Sequence, residues 1–203
     1  VHILYLGHPF RFWRMVREPG SSWISRGLIF VSLFLILGLI QMAVVSGGGS
    51  SLVLTILVDI LAFLTIVYGG FAMNCVNGIP LWNTALLPIL YAVSGIWGGA
   101  SVALGIALGT GAASTIGVSL EEWIRLLLIA YIGLIIVYFI SVRYTNLTGK
   151  VSVQGIVSGE YWPLMWFGVV LIGLVIPIAV VVISLGTGIE NMSAAVLYIA
   201  ILC

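Results

Sequence analysis

The segment Leu52-Val53-Leu54-Thr55-Ile56-Leu57-Val58-Asp59-Ile60-Leu61-Ala62-Phe63-Leu64-Thr65-Ile66-Val67-Tyr68-Gly69-Gly70-Phe71-Ala72-Met73 decides the class of molecule. Its 22 residues contain one charged side chain, Asp59, and no proline. About 20 mostly apolar residues, wound as a helix, cross the roughly 30 Å of hydrocarbon in a bilayer. Lipid offers backbone N–H and C=O groups no partners, and a helix satisfies them within the segment. The stretch therefore reads as a transmembrane helix.

The same pattern repeats on both sides of it. Gly27 to Val45, Ala85 to Leu108, Trp123 to Val142 and Pro163 to Leu185 are similarly long and apolar, and Ser193 to Cys203 begins a sixth run too short to cross. Hydrophobic residues make up 62 % of the 203 and charged residues 6 %, where a soluble domain is about a quarter charged. The expected fold is an all-α integral membrane protein, a bundle of five complete helices and one incomplete, forming a single domain over residues 1–203. A net charge of +1 gives no electrostatic footprint for nucleic acid. Cys75 and Cys203 match neither a disulfide framework nor a metal-ligand spacing, and read as small hydrophobes. Val1 and the abrupt sixth run lead us to expect an interior piece of a longer chain.

The links are read as loops: Ser46 to Ser51, Asn74 to Thr84, Gly109 to Glu122 and Arg143 to Trp162. Glu121 and Glu122 are expected at the start of the fourth span, where the helix dipole favours carboxylates. Alternating the spans puts Arg11, Arg14, Arg17, Arg26, Arg143 and Lys150 on one side and only Arg125 on the other. The positive-inside rule makes the first side cytoplasmic, with Trp13, Trp23, Trp82, Tyr161 and Trp162 as its interfacial belt.

Asp59 lies about a third of the way through its helix at 1.5 Å per residue. A carboxylate there costs about 2.5–3.5 kcal/mol on insertion scales, so it normally faces protein or a wet cavity. It reads as a proton relay, with a neutral hydrogen-bonded helix tie as the plainer alternative. The small residues of the third span (Ser94, Gly95, Gly98, Gly99, Ser101, Gly105, Gly109) read as a helix-packing stripe. Pro177 is expected to kink the fifth span. Asn146-Leu147-Thr148 reads as an accidental glycosylation sequon. The two histidines, His2 and His8, precede every span, so the helices offer no axial ligands for haem, and two lone cysteines cannot ligate an iron–sulfur cluster. We expect no metal in this chain.

Two ordered groups of residues carry a resemblance. The first is Leu6-Gly7-His8-Pro9-Phe10-Arg11-Phe12-Trp13 followed by Ser21-Ser22-Trp23-Ile24-Ser25-Arg26-Gly27. The second is Tyr68-Gly69-Gly70-Phe71, then Gly78-Ile79-Pro80-Leu81-Trp82-Asn83, Leu87-Pro88 and Ser94-Gly95. Together, over about residues 3–110, the chain resembles the NrfD/PsrC family, membrane subunits of polysulfide reductase-type oxidoreductases. It departs from the family's Asp-Leu-Gly-Arg-Pro pattern, with Tyr5 and His8 in place of the acid and the arginine.

The resemblance implies a multi-pass cell-membrane protein of about eight helices, two of them before this chain. It implies a quinone (menaquinone or ubiquinone) as bound substrate, a ferredoxin-like iron–sulfur partner subunit and a catalytic subunit, the molybdopterin type being one candidate. Tyr68 would donate a hydrogen bond to a quinone carbonyl, where position alone reads it as a belt tyrosine. Trp82 and Asn83 would wall the same pocket, or form the first turn of the third span with Asn83 as its cap. Arg11 and Arg14 would dock the partner or face lipid phosphates. Many relatives serve exported catalytic subunits, so the basic side is also open to an outward reading. A secondary transporter or channel, and a purely structural anchor, are the competing functions; a transporter commonly carries internal repeats and paired broken helices, and none is evident here.

Overall fold

The first two helices each begin at a serine that caps them. The computed structural model describes residues 19–20, 22–76, 78–79, 81–111, 113–145, 147–187 and 193–202. Ser22 Oγ accepts from the Ser25 N–H at 3.4 Å, and helix α1 follows over Trp23–Ser46. It stops at Gly47, and Gly48 turns the chain with a φ of 76°, a conformation that costs glycine little. Ser51 Oγ then accepts from the Leu54 N–H and α2 runs over Leu52–Asn74, ending at the exposed Cys75. Helix α3, Leu86–Thr110, ends on Gly111 in the left-handed region, a common helix terminator.

Next come α4 (Ala113–Thr145) and α5 (Leu147–Val157). Helix α6 (Leu164–Thr187) and α7 (Ala194–Leu202) complete the chain. The described elements are all helical. Five helical stretches are long and apolar enough to cross a membrane: Trp23–Ser46, Leu52–Asn74, Leu86–Thr110, Ser119–Thr145 and Leu164–Thr187. The protein is an all-α, multi-pass membrane protein.

Three features differ from the sequence reading. Helix α4 begins at Ala113, not near Trp123. The Gly109–Glu122 stretch is rich in small residues but has no proline to stop a helix, and one glycine costs only about 1 kcal/mol. Glu121 thus sits about two turns inside α4, beyond the first turn where a dipole acts on charge. The Arg143–Trp162 link contains the helix α5, whose buried Gly149 and Val153 face its packing partners; packing overrides a weak local propensity. In α6, residues Leu164–Val175 are wound as a π-helix and Ile176–Thr187 as an α-helix. The change of winding falls beside Pro177, which has no N–H to give to either register.

The chain forms two compact units, Val1–Val76 with Leu87–Ala92, and Asn77–Leu86 with Val93–Cys203. In the first, α1 and α2 pack together and send large apolar side chains such as Leu39 and Leu52 outward, as lipid contact requires. In the second, Leu104 and Leu197 are buried with Leu108, Leu120, Ile124 and Val180 around them. The expected small-residue stripe divides here. Gly105 and Gly109 receive Tyr198, whose hydroxyl donates to the Gly105 carbonyl at 3.0 Å. Gly98 and Gly99 have no atom within 4 Å of where a Cβ would stand.

Candidate functional site

The first unit's packing converges on four consecutive residues of α2, Tyr68-Gly69-Gly70-Phe71. The Tyr68 ring fills the space in which a Cβ on buried Gly27 of α1 would stand. A Cβ on Gly69 would lie 2.9 Å from Tyr91 Cε1, and one on Gly70 only 2.5 Å from Pro88 Cα. Phe71 stacks on Trp23, with ring centroids 4.5 Å apart and planes 9° from parallel. The two glycines are therefore required by the approach of the first turns of α3, and the two aromatics by the approach of α1.

The outer end of this cluster is also fixed. The Arg26 guanidinium lies 4.7 Å over the Trp23 ring and donates to the Pro19 and Gly20 carbonyls, each at 2.6 Å. Tyr91 donates its hydroxyl to Met73 Sδ at 2.8 Å. Tyr68 is half-buried, and its hydroxyl makes no hydrogen bond with a described residue. One turn earlier on the same face, Thr65 Oγ1 is buried with no hydrogen-bond partner among the described residues. A clamped ring whose phenol has no bond to a described residue is suited to donating to a carbonyl oxygen of a ligand.

Asp59 lies about 14 Å further toward the start of α2. It is exposed, and its carboxylate has no hydrogen bond or ion pair with a described residue. This differs from the expected interior placement. Of the residues on its face, Thr55 accepts from Gln41 Nε2 of α1 at 3.1 Å, while Gly69 and Gly70 meet α3.

Trp82 and Asn83 belong to the second unit. Their N–H groups both donate to the Ile79 carbonyl, at 2.9 and 3.2 Å, and the Leu81 carbonyl accepts from the Tyr138 hydroxyl. Asn83 is exposed and does not cap α3. The N-cap is Ala85, which has no side chain to cap with, and the Thr84 Oγ1 just before it accepts from the Leu86 N–H at 3.3 Å. Arg11 and Arg14 lie outside the described residues. Among the described residues no three His, Cys, Asp or Glu side chains gather to hold a metal ion.

Sequence reasoning missed one polar cluster in the second unit. Glu121 Oε1 accepts from Arg125 Nη2 at 2.8 Å and from Ser184 Oγ at 2.5 Å. The Glu121 and Arg125 side chains are 12 % and 25 % exposed. The cluster borders a cavity of about 50 Å³ lined also by Trp97, Ser101, Pro177 and Leu197. The signal was available: Glu at i and Arg at i+4 is the favourable helical order, once the helix is known to start well before Glu121.

A multi-pass helical membrane protein with a glycine-cradled tyrosine is the class that this geometry defines. The polysulphide reductase NrfD family matches residues 1–203, the whole chain. The chain belongs to that family. It is 30 % identical over 155 residues to the C subunit of the polysulfide reductase of Wolinella succinogenes, covering 73 % of this chain and 48 % of that protein. It is 25 % identical over 211 residues to protein NrfD of Escherichia coli, covering 86 % and 64 %. A NrfD homolog of Haemophilus influenzae is 25 % identical over 126 residues, covering 61 % and 39 %. The chain thus spans roughly half the length of these relatives. No solved structure gives a significant match.

Proposed function

We propose that this chain is part of the membrane subunit of an oxidoreductase complex, and that it presents Tyr68 to a membrane quinone. The observation that carries this reading is the phenol of Tyr68, held by its fit against Gly27 while its hydroxyl makes no hydrogen bond with a described residue. The family membership and the name of the Wolinella relative as one subunit of a polysulfide reductase support the same role. A quinone supplies two-electron, two-proton redox chemistry in a lipid-soluble carrier. The chain's own contribution is to bind the carbonyl through Tyr68 and to shield the ring with the surrounding aromatics.

In this reading electrons pass between the quinone and a ferredoxin-like iron–sulfur subunit, which serves a separate catalytic subunit. Arg11 and Arg14 are the proposed docking residues for that partner. Asp59 is the proposed proton relay, since an ionisable group at membrane depth needs water or protein beside it. Trp82 and Asn83 are further quinone-pocket candidates on the family resemblance. Tyr68→Phe removes one hydrogen-bond donor and leaves the ring fit intact. The expected result is a rise of about tenfold in the apparent KM for quinol with the complex still assembled, since a hydrogen bond contributes about 1 kcal/mol or slightly more. Unchanged quinol kinetics in that variant would remove Tyr68 from the site.

A further inference from the structure

In the second unit, two basic side chains line one cavity. Arg143, near the end of α4, and Lys150, on α5, share a space of about 340 Å³ with Gln154 and Ser158. Both are exposed, and neither forms an ion pair with a described residue. Glu160, the nearest acid along the chain, does not line the cavity. Two like charges held in one cavity repel each other, and an anion between them relieves that repulsion. The amide of Gln154 and the hydroxyl of Ser158 add neutral donors.

The cavity continues into lipid-like surroundings. Val157 lines both it and an entirely apolar groove of about 320 Å³ between α4 and α6. On α4 the groove is lined by Ile132, Ile136 and Ile140, which lead directly to Arg143 on the same helical face; Met165 and Val169 of α6 line its other wall. From Ile132 to Arg143 the helix advances about 16 Å, roughly half of the hydrocarbon thickness. A cationic, hydrogen-bonding head space joined to an apolar channel one leaflet long has the shape and charge of a phospholipid.

We propose that this is a specific site for an anionic phospholipid, with the phosphate held by Arg143 and Lys150 and an acyl chain laid along the α4–α6 groove. The site is independent of the quinone reading, because none of its residues takes part in that site. Free phosphate shares the head-group chemistry but has nothing to place in the groove. A quinone tail could fill the groove but brings no charge to the basic pair.

The test uses the assembled complex in mild detergent, stripped of lipid and titrated with phosphatidylglycerol or with phosphatidylcholine of the same acyl chains, read by native mass spectrometry. At about 1 kcal/mol per basic residue near an anionic head group, the anionic lipid should bind roughly 30-fold tighter. Rising salt should erase that preference in the unmodified protein, which keeps the test independent of any variant's folding. The double variant R143Q/K150Q should bind both lipids alike. Ile136→Trp should weaken both without changing their ratio. Equal binding of the two lipids to the unmodified complex overturns the proposal. So does inorganic phosphate that competes as strongly as phosphatidylglycerol at equal concentration and constant ionic strength, or an isoprenoid quinone retained in the groove in its place.

Discussion

Two carboxylates, Asp59 and Glu121, lie within apolar helices, and the fold treats them in opposite ways. Glu121 on α4 is mostly buried and meets both Arg125 and Ser184. Asp59 on α2 is exposed and has no partner among the described residues. The first charge is neutralised inside its own unit and so is a matter of architecture. The second depends on what surrounds this chain, and so is available to chemistry. An acid in a membrane span is therefore informative in proportion to how little its own chain does to satisfy it.

The largest effect expected from this contrast is at Glu121. Glu121→Ala leaves the Arg125 guanidinium largely buried and unpaired, a change that typically costs about 3 kcal/mol or more. The double variant E121M/R125M should recover most of the loss, and thermal unfolding of the purified complex measures both. Equal instability in the single and double variants would show that the cost comes from losing the Ser184 hydrogen bond between α4 and α6 and not from an unpaired Arg125.

Next in size is Gly27→Ala, which sets a methyl group into the Tyr68 ring. Overpacking of this kind costs about 1–3 kcal/mol, and displacement of the phenol should lower quinol turnover as well as the melting temperature. Smaller again is the difference between two glycines of α3. Gly109→Ala would press on the Tyr198 hydroxyl, 3.1 Å from where the new Cβ would stand, and should cost about 1 kcal/mol. Gly98→Ala has open space and should be neutral or slightly stabilising, from better helix propensity. Paired melting curves for these two variants separate a packing stripe from a merely small one.

The smallest effect on stability is expected at Asp59. Asp59→Asn removes no contact of the described chain and should change stability by less than about 0.5 kcal/mol. Its effect should fall instead on proton-coupled turnover, measured with quinol in sealed vesicles. Normal turnover in that variant excludes the relay.

The five spans were legible because membrane crossing is written in a long one-dimensional run of apolar residues. The Tyr68-Gly69-Gly70-Phe71 stretch was legible as a motif but not as a mechanism. Only the fold shows that the glycines admit Tyr91 and Pro88 while the aromatics meet Gly27 and Trp23. The start of α4 was missed because Ser114, Thr115 and Gly117 look like a loop when read alone. That error carried Glu121 with it, since its role follows from its distance to the helix end. Helix α5 and the division of the α3 glycines depend on tertiary neighbours, which no local pattern encodes.

The exposed thiol of Cys75 at the end of α2 gives the protein a chemical address. With Cys203 changed to serine, it is the one sulfhydryl left within these 203 residues for a membrane-impermeant maleimide. Because consecutive spans must alternate, labelling of intact cells compared with inverted vesicles at this atom orients every helix at once. The same experiment says which compartment meets the arginine-rich stretch and the Tyr68 end of α2.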